Sequence, residues 1–311
     1  MQNKKKFLIF SSALLLIFVG VLFTSCEKSD IVSDQLVLEK SPLLVQNNSS
    51  SSMQRVAADP SDWTLIVDYG SHGFKLFQKG SDYVQKINLD AGAYIRIRCS
   101  TPAQSNSSLP SSPLFYRRSL QTFWDYRPTN TMSVTNGPFF WYDNTPGGTS
   151  AVAISYPIKY QGTILSTGSS NQEFPGNKLK IGIDTNTKEA WIASYNNTSN
   201  DPTIVANNLQ SPTAFVGLHP VNVSKNKYAL LNRTMIGIKD QNGDGKNEVI
   251  YILTANFSMQ SMALNILKTF GCSDSNIIMF DGSGSSQMIC GAYSFLSSDA
   301  RNVPCVLDAI F

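Results

Sequence analysis

The residues best suited to chemistry lie in a glycine- and serine-rich stretch near the carboxyl end. Residues 276–280, Asn-Ile-Ile-Met-Phe, have the length and composition of a buried strand, and Asp281 follows directly. Gly282, Ser285 and Ser286 come next in a turn sequence. A carboxylate at a strand end can act as an acid or a base, and the N–H groups of a glycine turn can bind an anion. The stretch predicts a catalytic or binding loop, and the alternative is a plain turn capped by Asp281.

Two arginines could supply complementary chemistry. Arg233 lies in a predicted strand and Arg301 lies downstream of the glycine turn. A planar guanidinium binds two phosphate oxygens at once, and it can neutralise a departing phosphate. We therefore predict a catalytic group of Asp281, Arg233 and Arg301, with a structural ion pair as the alternative for either arginine.

Four segments, in chain order, resemble motifs of the phosphodiester glycosidase family, which includes N-acetylglucosamine-1-phosphodiester alpha-N-acetylglucosaminidase. Thr-Asn-Gly-Pro-Phe-Phe is similar to N-G-G-F-F, Arg-Thr-Met-Ile-Gly to R-T-x-I-G, Phe-Asp-Gly-Ser-Gly-Ser-Ser-Gln-Met to L-D-G-G-G-S-S-x-M, and Arg-Asn-Val-Pro to R-P. These segments are residues 135–140, 233–237, 280–288 and 301–304.

The resemblance covers about residues 63–311 and implies an α+β domain. It also implies hydrolysis of the bond between a sugar's anomeric carbon and a phosphodiester, or of a related glycosidic bond. The substrate contacts that it suggests are Asn136, Gly137, Thr234, Gly282, Ser285 and Ser286.

The chain also departs from the family. Residues 255–257, Ala-Asn-Phe, stand where the family has Asp-Gly-Arg, and Pro138 and Ser283 replace glycines. A non-catalytic glycan-binding protein on the same scaffold is therefore the second hypothesis. Hydrolysis is favoured if Asn256 shares a pocket with Asp281 and another carboxylate, such as Asp143 or Asp299, lies there.

His219 and an aromatic cluster are further candidates. His219 could bind substrate or transfer protons near neutral pH, although a histidine before a proline is more often a loop residue. We expect Phe139 and Phe140 to be buried, and Trp141 or Tyr142 to be exposed for sugar stacking.

The elements that would position these residues are mostly strands. Residues 235–238 and 248–254 read as the arms of a hairpin, and an apolar stripe predicts a helix from an N-cap at Ser258 to Gly271. We predict an α+β fold, with a strand-rich mixed sheet and a few packed helices in a single domain. Further predicted strands are residues 64–67, 94–98, 151–154 and 180–183.

The hairpin loop contains Asp240, Asn242 and Asp244, which resemble the start of a calcium loop. Tyr251 stands where the bidentate glutamate of that loop belongs, so a polar turn is favoured over calcium binding. The chain has only two histidines and no C-x-x-C pair, and we predict no other metal or cofactor.

The remaining cysteines after residue 26 are Cys99, Cys272, Cys290 and Cys305. They allow up to two disulfides, with three possible connectivities, or four buried thiols.

The amino terminus resembles the leader of an exported bacterial lipoprotein. Three lysines precede an apolar run over residues 7–23, and Thr24 and Ser25 precede Cys26. We predict a leader over residues 1–25, a tether over 26–60 with lipid on Cys26, and the glycosidase-like domain over 61–311. An uncleaved membrane helix is the alternative.

A lipid-anchored protein of this kind is expected in the cell envelope, on the periplasmic or surface face of the outer membrane. Three of the 25 basic residues lie in the leader, which leaves 22 basic groups against 22 acidic ones. A neutral domain lacks the charge of a nucleic-acid binder, so the predicted partners are a carbohydrate or phosphoglycan and the membrane.

We expect Cys26→Ser to abolish fatty-acid labelling and to release the protein from the membrane fraction, because the thiol carries the lipid. Cys290→Ser is the control and should stay in the membrane fraction. Unchanged labelling of Cys26→Ser would contradict the anchor.

Overall fold

A computed structural model describes residues 59–104, 110–141, 150–296 and 299–311. They belong to one compact unit, Ser52–Phe311. None of the helices formed by these residues has the length and apolar character needed to cross a bilayer. The leader, Cys26 and most of the tether lie outside the described residues and stay predictions.

The described residues form nineteen strands and three α-helices. The helices are α1 (Leu120–Asp125), α2 (Pro202–Leu209) and α3 (Gln260–Thr269). The strands are β1 (Thr64–Tyr69), β2 (Phe74–Lys79), β3 (Asp82–Asn88), β4 (Tyr94–Cys99), β5 (Pro102–Gln104), β6 (Leu114–Tyr116), β7 (Thr131–Asn136), β8 (Ala151–Ala153), β9 (Ile158–Tyr160), β10 (Thr163–Ser166), β11 (Lys178–Asp184), β12 (Glu189–Ser194), β13 (Thr213–Leu218), β14 (Leu231–Lys239), β15 (Val249–Ser258), β16 (Ile277–Met279), β17 (Gln287–Cys290), β18 (Tyr293–Leu296) and β19 (Cys305–Ile310).

The strands form three sheets. The largest has eleven strands in the order β1-β2-β3-β15-β14-β16-β13-β11-β12, and β9 pairs with both β10 and β13. A second sheet has the order β18-β17-β7-β19-β4, and a small third sheet has the order β5-β6-β8. The strand pairs that the structure describes are antiparallel.

The predicted α+β class is therefore wrong, because the fold is mostly β with large antiparallel sheets. The three α-helices have six, eight and ten residues. Antiparallel neighbours can be joined by short turns, whereas parallel strands require a crossover that is usually helical. One helix was predicted from its own apolar stripe and the α+β class from the family resemblance, whereas the connections in this chain are mostly turns.

The predicted central hairpin is confirmed as β14 and β15, which pair along most of their length. The predicted helix is confirmed as α3, but its N-cap is Met259 rather than Ser258 and no side chain caps it. Ser258 still belongs to β15, and its hydroxyl donates to the Asn256 carbonyl.

The large sheet is buried on both faces at its centre. Ile236, Ile238 and Ile250 belong to the core that also contains Val134 and Leu307 of the five-stranded sheet. On the opposite face, residues of α3 pack against alternate residues of β14 and β15. A strand segment covered on both faces needs an almost unbroken apolar run, and this is the pattern of residues 235–238 in β14 and 249–253 in β15. The residues that pack together on the α3 side of the large sheet are Met235 of β14, Leu253 of β15, and Ala263 and Leu267 of α3.

Cys99 and Cys305 form a disulfide between the adjacent strands β4 and β19, with a Cα–Cα distance of 4.0 Å. Cys272 and Cys290 are buried free thiols. The sequence allowed either disulfides or free thiols for these four cysteines, and the structure has one disulfide and two free thiols.

We expect alkylation of the unfolded, unreduced protein to modify Cys272 and Cys290 but not Cys99 or Cys305. Replacing both bridged cysteines by alanine should lower the free energy of unfolding by about 2–5 kcal/mol, the usual cost of losing a native disulfide. Peptide mapping and denaturant melts are the measurements. Alkylation of Cys99 without reductant would contradict the bridge.

Candidate functional site

Asp281 lies directly after β16, at the wall of a cavity of about 630 Å³. Strand β16 pairs with β14 and β13 in the middle of the large sheet, so the backbone that leads to Asp281 is held on both sides. Five charged residues line this cavity: Asp281, Arg233, Arg301, Glu173 and Lys225. Its apolar wall consists mainly of Phe139, Phe140, Trp141, Tyr156, Phe174 and Phe280.

The Asp281 carboxyl is half-buried, and burial raises its pKa above the usual value for aspartate. The Ser285 hydroxyl, the positive charge of Arg301, the Gly282 backbone N–H and Lys225 all oppose this shift without cancelling it. The protonated form is therefore more accessible here than on an exposed aspartate. A carboxyl in this state is suited to donating a proton.

Arg233 is only 5% exposed, and backbone carbonyls surround its guanidinium. Its Nε donates to the Ser258 carbonyl at 3.1 Å, and its Nη2 donates to the carbonyls of Asn226 at 2.6 Å and Ala229 at 2.9 Å. Burial lowers the pKa of Arg233, although an arginine stays charged at neutral pH. Among the described residues, no carboxylate pairs with Arg233 and its Nη1 makes no hydrogen bond. The arrangement positions a buried cation that can accept an external anion.

Arg301 is held at the cavity by the glycine turn. Its backbone N–H donates to the Gly284 carbonyl at 2.8 Å, and its carbonyl accepts from Gln287 Nε2 at 2.6 Å. A Cβ on Gly284 would lie 2.4 Å from the Asp299 carbonyl oxygen, so this glycine permits the close approach. Ser283, where the resembling family has glycine, has a φ of 58° and lines the cavity. Such a conformation is uncommon for a residue with a side chain, and it concentrates at functional loops.

Asn136 is fully buried and joins the two large sheets behind the cavity. Its Nδ2 donates to the Asp281 carbonyl at 2.9 Å, and its Oδ1 accepts from the Thr234 hydroxyl at 2.8 Å and the Gln287 N–H at 3.1 Å. Thr234 and Ser286 hydroxyls lie 2.9 Å apart, and Ser286 must be the donor because the single Thr234 proton goes to Asn136. Asn136, Thr234 and Ser286 were predicted as substrate contacts. They instead support the Asp281 loop from behind and do not line the cavity.

The other predicted substrate contacts fall in different places. Gly282 lines the cavity, whereas Gly137 packs where a Cβ would lie 2.8 Å from the Cys305 carbonyl oxygen. Ser285 is fully buried, and its hydroxyl has no partner that meets hydrogen-bond geometry in the described chain. It still lowers the pKa of Asp281, which places it near that carboxyl.

His219 does not line the cavity. Its Nδ1 accepts a hydrogen bond from the Val221 N–H at 3.2 Å, which holds the loop. Burial lowers its pKa below the usual value for histidine, and the charge of Asp274 opposes this shift. This is the loop geometry that the sequence offered as the alternative to proton transfer.

The carboxylate that accompanies Asp281 in the cavity is Glu173, which the sequence did not single out. Asn256 lines a separate pocket, Asp299 does not line the main cavity, and Asp143 lies outside the described residues. Lys225 was also missed. Both missed residues are exposed in loops without a motif, so nothing in their local sequence distinguished them from ordinary surface charges.

The aromatic cluster divides much as expected. Phe140 is 8% exposed, Phe139 is half-buried, and Trp141 is 59% exposed at the cavity. Tyr142 lies outside the described residues. Trp141 is therefore the exposed aromatic surface available to a ligand.

In the hairpin loop, carboxylate oxygens of Asp240, Asp244 and Glu248 lie within 4.8 Å of one another. Asp240 accepts the Gly243 and Gly245 N–H groups, and Glu248 accepts those of Gln241 and Asn242. The acidic groups therefore stabilise the turn through its own backbone. Calcium binding through Asp240, Asn242 and Asp244 stays the less favoured alternative to a polar turn.

No family model matches the chain, and no curated protein matches it. Among solved structures, the chain is similar to the zebrafish N-acetylglucosamine-1-phosphodiester alpha-N-acetylglucosaminidase catalytic domain auto-inhibited by its pro-peptide. The two are 12% identical, the match covers 80% of this chain and 81% of that one, and the TM-score is 0.45. A hypothetical protein from Synechocystis is 10% identical over 80% of this chain and 61% of its own length, with a TM-score of 0.40. The chain thus spans about three fifths of the Synechocystis protein. These are distant structural similarities, one of them to a glycosidase domain, and neither bears on the residues or the activity of this chain.

We expect Asn136→Ala to lower the free energy of unfolding by at least about 2 kcal/mol, because it leaves buried partners without hydrogen bonds at about 1–3 kcal/mol each. Asn186→Ala is the matched control, since Asn186 is exposed and its side chain makes no hydrogen bond within the described chain. Denaturant melts of both variants are the measurement. Equal stability of the two variants would contradict the role of Asn136.

Proposed function

We propose that this protein hydrolyses a sugar-1-phosphodiester, of the N-acetylglucosamine-1-phosphodiester type, in a glycan. The observation that carries the proposal is Arg233, a buried guanidinium without a carboxylate partner among the described residues, in the wall of a cavity that also contains Asp281. A buried cation is costly unless an anion compensates it. A phosphate in the cavity would complete that pairing, and the four motif resemblances support the same substrate.

The charges of the cavity suit a phosphodiester better than a neutral glycoside. Arg233, Arg301 and Lys225 provide three cations, against the two carboxyl groups of Asp281 and Glu173. Cations close to the leaving group stabilise the charge that develops on phosphate as the bond breaks. The Nη1 of Arg233, which is unoccupied in the described chain, points to this residue as the principal phosphate contact.

The two carboxyl groups divide the proton transfers between them. Asp281, whose pKa is raised by burial, donates its proton to the phosphate oxygen that leaves the anomeric carbon. Water attacks that carbon and Glu173 accepts its proton, so that the carbon–oxygen bond electrons depart with the phosphate. The products are the free sugar and a phosphomonoester, and one water is consumed. Two carboxyl groups with different environments are the usual basis for such a division of roles.

The sugar ring is proposed to pack on the aromatic wall of the cavity. Trp141 presents an exposed face at this wall, and Phe174 lies half-buried there. The apolar C–H face of a pyranose can pack on an aromatic ring while its hydroxyls stay hydrated. This arrangement orients the anomeric phosphate toward the cations.

A non-catalytic glycan-binding protein is the second candidate. The chain lacks the acidic and basic residues of the family's Asp-Gly-Arg, and Asn256 in that stretch lies outside the main cavity. Binding of a sugar phosphate without any release of sugar would favour this candidate.

We expect Asp281→Asn to reduce sugar release by about 100-fold or more, the range for losing a general acid, without lowering the melting temperature at neutral pH. The raised pKa means that ionised Asp281 destabilises the folded state as pH rises above the unfolded value, and asparagine removes this cost. The wild-type rate should fall as pH rises through the pKa of Asp281, and the variant should lose that limb. Asp184→Asn is the control, because Asp184 caps a turn through the N–H groups of Asn186 and Thr187. A variant that is less stable yet fully active would identify Asp281 as a turn cap only.

We expect Arg233→Lys to reduce kcat/KM much more on phosphodiester substrates than on neutral aryl N-acetylglucosaminides. Lysine keeps the charge, but its single nitrogen cannot donate to the three carbonyls that hold the guanidinium and still present free N–H donors to a phosphate. Steady-state kinetics on the two substrate classes are the measurement. Equal losses on both would assign Arg233 to structural support of the carbonyls that it contacts.

A further inference from the structure

A bulge in β15 turns one aromatic side chain out of the core. In the pairing with β14, Ser258 aligns with Leu231 and Ala255 with Arg233, so Asn256 and Phe257 together face the single residue Asn232. An extra residue of this kind re-aims the side chains of the strand that carries it. Phe257 is 61% exposed, although it lies between the buried residues Ala255 and Ser258.

The bulge is held in an unusual conformation by two specific hydrogen bonds. Phe257 has a φ of 39°, which is rare for a bulky residue. Its N–H donates to Asn232 Oδ1 at 3.1 Å, and the Asn256 N–H donates to Asp82 Oδ1 at 2.7 Å. Burial raises the pKa of Asp82, and the hydrogen bond from Asn256 opposes this shift. A strained conformation that is held by the buried Asn232 and the half-buried Asp82 indicates a position with a role.

Phe257 forms one wall of a second, open pocket of about 340 Å³. The pocket lies between the turn that joins β2 to β3, the end of β15 and the edge strand β18. No residue lining this pocket carries a charge, whereas five charged residues line the main cavity. The polar groups at this pocket include the exposed hydroxyls of Ser81 and Ser294 and the side-chain amides of Gln78 and Asn256. Its apolar surface includes Phe257 and Leu296.

We propose that this pocket is a second, non-catalytic binding site for a neutral pyranose unit of a glycan. The exposed Phe257 ring offers a flat surface for the apolar face of a sugar. Beside it, the Asn256 side-chain amide makes no hydrogen bond within the described chain and can both donate to and accept from neighbouring sugar hydroxyls. The absence of charge among the lining residues selects a neutral ring over a phosphorylated one.

The second pocket is separate from the catalytic chemistry. Leu231 and Arg233 line the main cavity, whereas Asn232 between them supports Phe257. Alternate residues of a strand face opposite sides of a sheet. The site therefore binds glycan whether or not the main cavity hydrolyses a phosphodiester.

The test is saturation-transfer NMR of the protein with each of three neutral trisaccharides at millimolar concentration: triacetylchitotriose, cellotriose and maltotriose. We expect transfer to the ring C–H protons of at least one. Phe257→Ala should raise the dissociation constant by about tenfold or more, because the aromatic ring on which the sugar packs is lost. Phe257→Trp should retain it, because the larger ring keeps the platform.

Two further variants separate this site from the main cavity and from nonspecific stacking. Tyr126→Ala should bind like the wild type, since Tyr126 is an even more exposed aromatic residue outside both pockets. Asp281→Asn should also bind normally even though it abolishes hydrolysis. The proposal is overturned if none of the three sugars binds, or if Phe257→Ala binds as well as the wild type.

Discussion

The carboxamide of Asn136 is the contact on which the site depends. It reaches from the five-stranded sheet to the Thr234 hydroxyl in the eleven-stranded sheet, and to the carbonyl of Asp281. One planar group thereby links the two sheets to the loop that carries Asp281. Only an amide has a donor and an acceptor in this geometry, and neither aspartate nor leucine of similar size could replace both. The buried hydroxyls of Thr234 and Ser286 complete the network, so the loop is held from behind while its front faces the cavity.

This rigid support holds the charged side chains of Asp281 and Arg233 in positions that are partly or almost fully shielded from solvent. Asp281 and Arg233 are each less favourable in their charged forms than they would be in water, as the directions of their pKa shifts show. The fold tolerates the cost because two cores, one on each face of the large sheet, fix the strands that carry these residues. The same scaffold carries the Phe257 bulge on β15, where backbone strain is again balanced by side-chain acceptors. The apolar cores thus lie along the sheets, and the charged and strained groups lie at the strand ends.

Local pattern was enough to predict the elements but not their assembly. The β14–β15 hairpin, α3 and the strand before Asp281 follow from apolar periodicity, because long buried segments carry a strong signal. The predicted α+β class was wrong because the helix content depends on how successive strands are connected. The pattern within each strand does not reveal these connections. Glu173 and Lys225 reach the cavity from loops whose positions depend on tertiary structure. The sequence left open whether Asn256 shares a pocket with Asp281, and a register shift of one residue, invisible in the sequence, places it in a different pocket.

We propose that Arg233 and Arg301 bind the phosphate of a sugar phosphate beside Asp281. The most direct measurement is a crystal structure of the protein with N-acetylglucosamine-1-phosphate. We predict that the phosphate lies within hydrogen-bond distance of Arg233 Nη1 and the Arg301 guanidinium. We also predict that the Asp281 carboxyl faces the anomeric oxygen and that the sugar ring packs on Trp141. A phosphate bound away from both arginines, or a sugar bound in the main cavity with its phosphate directed to solvent, would contradict it.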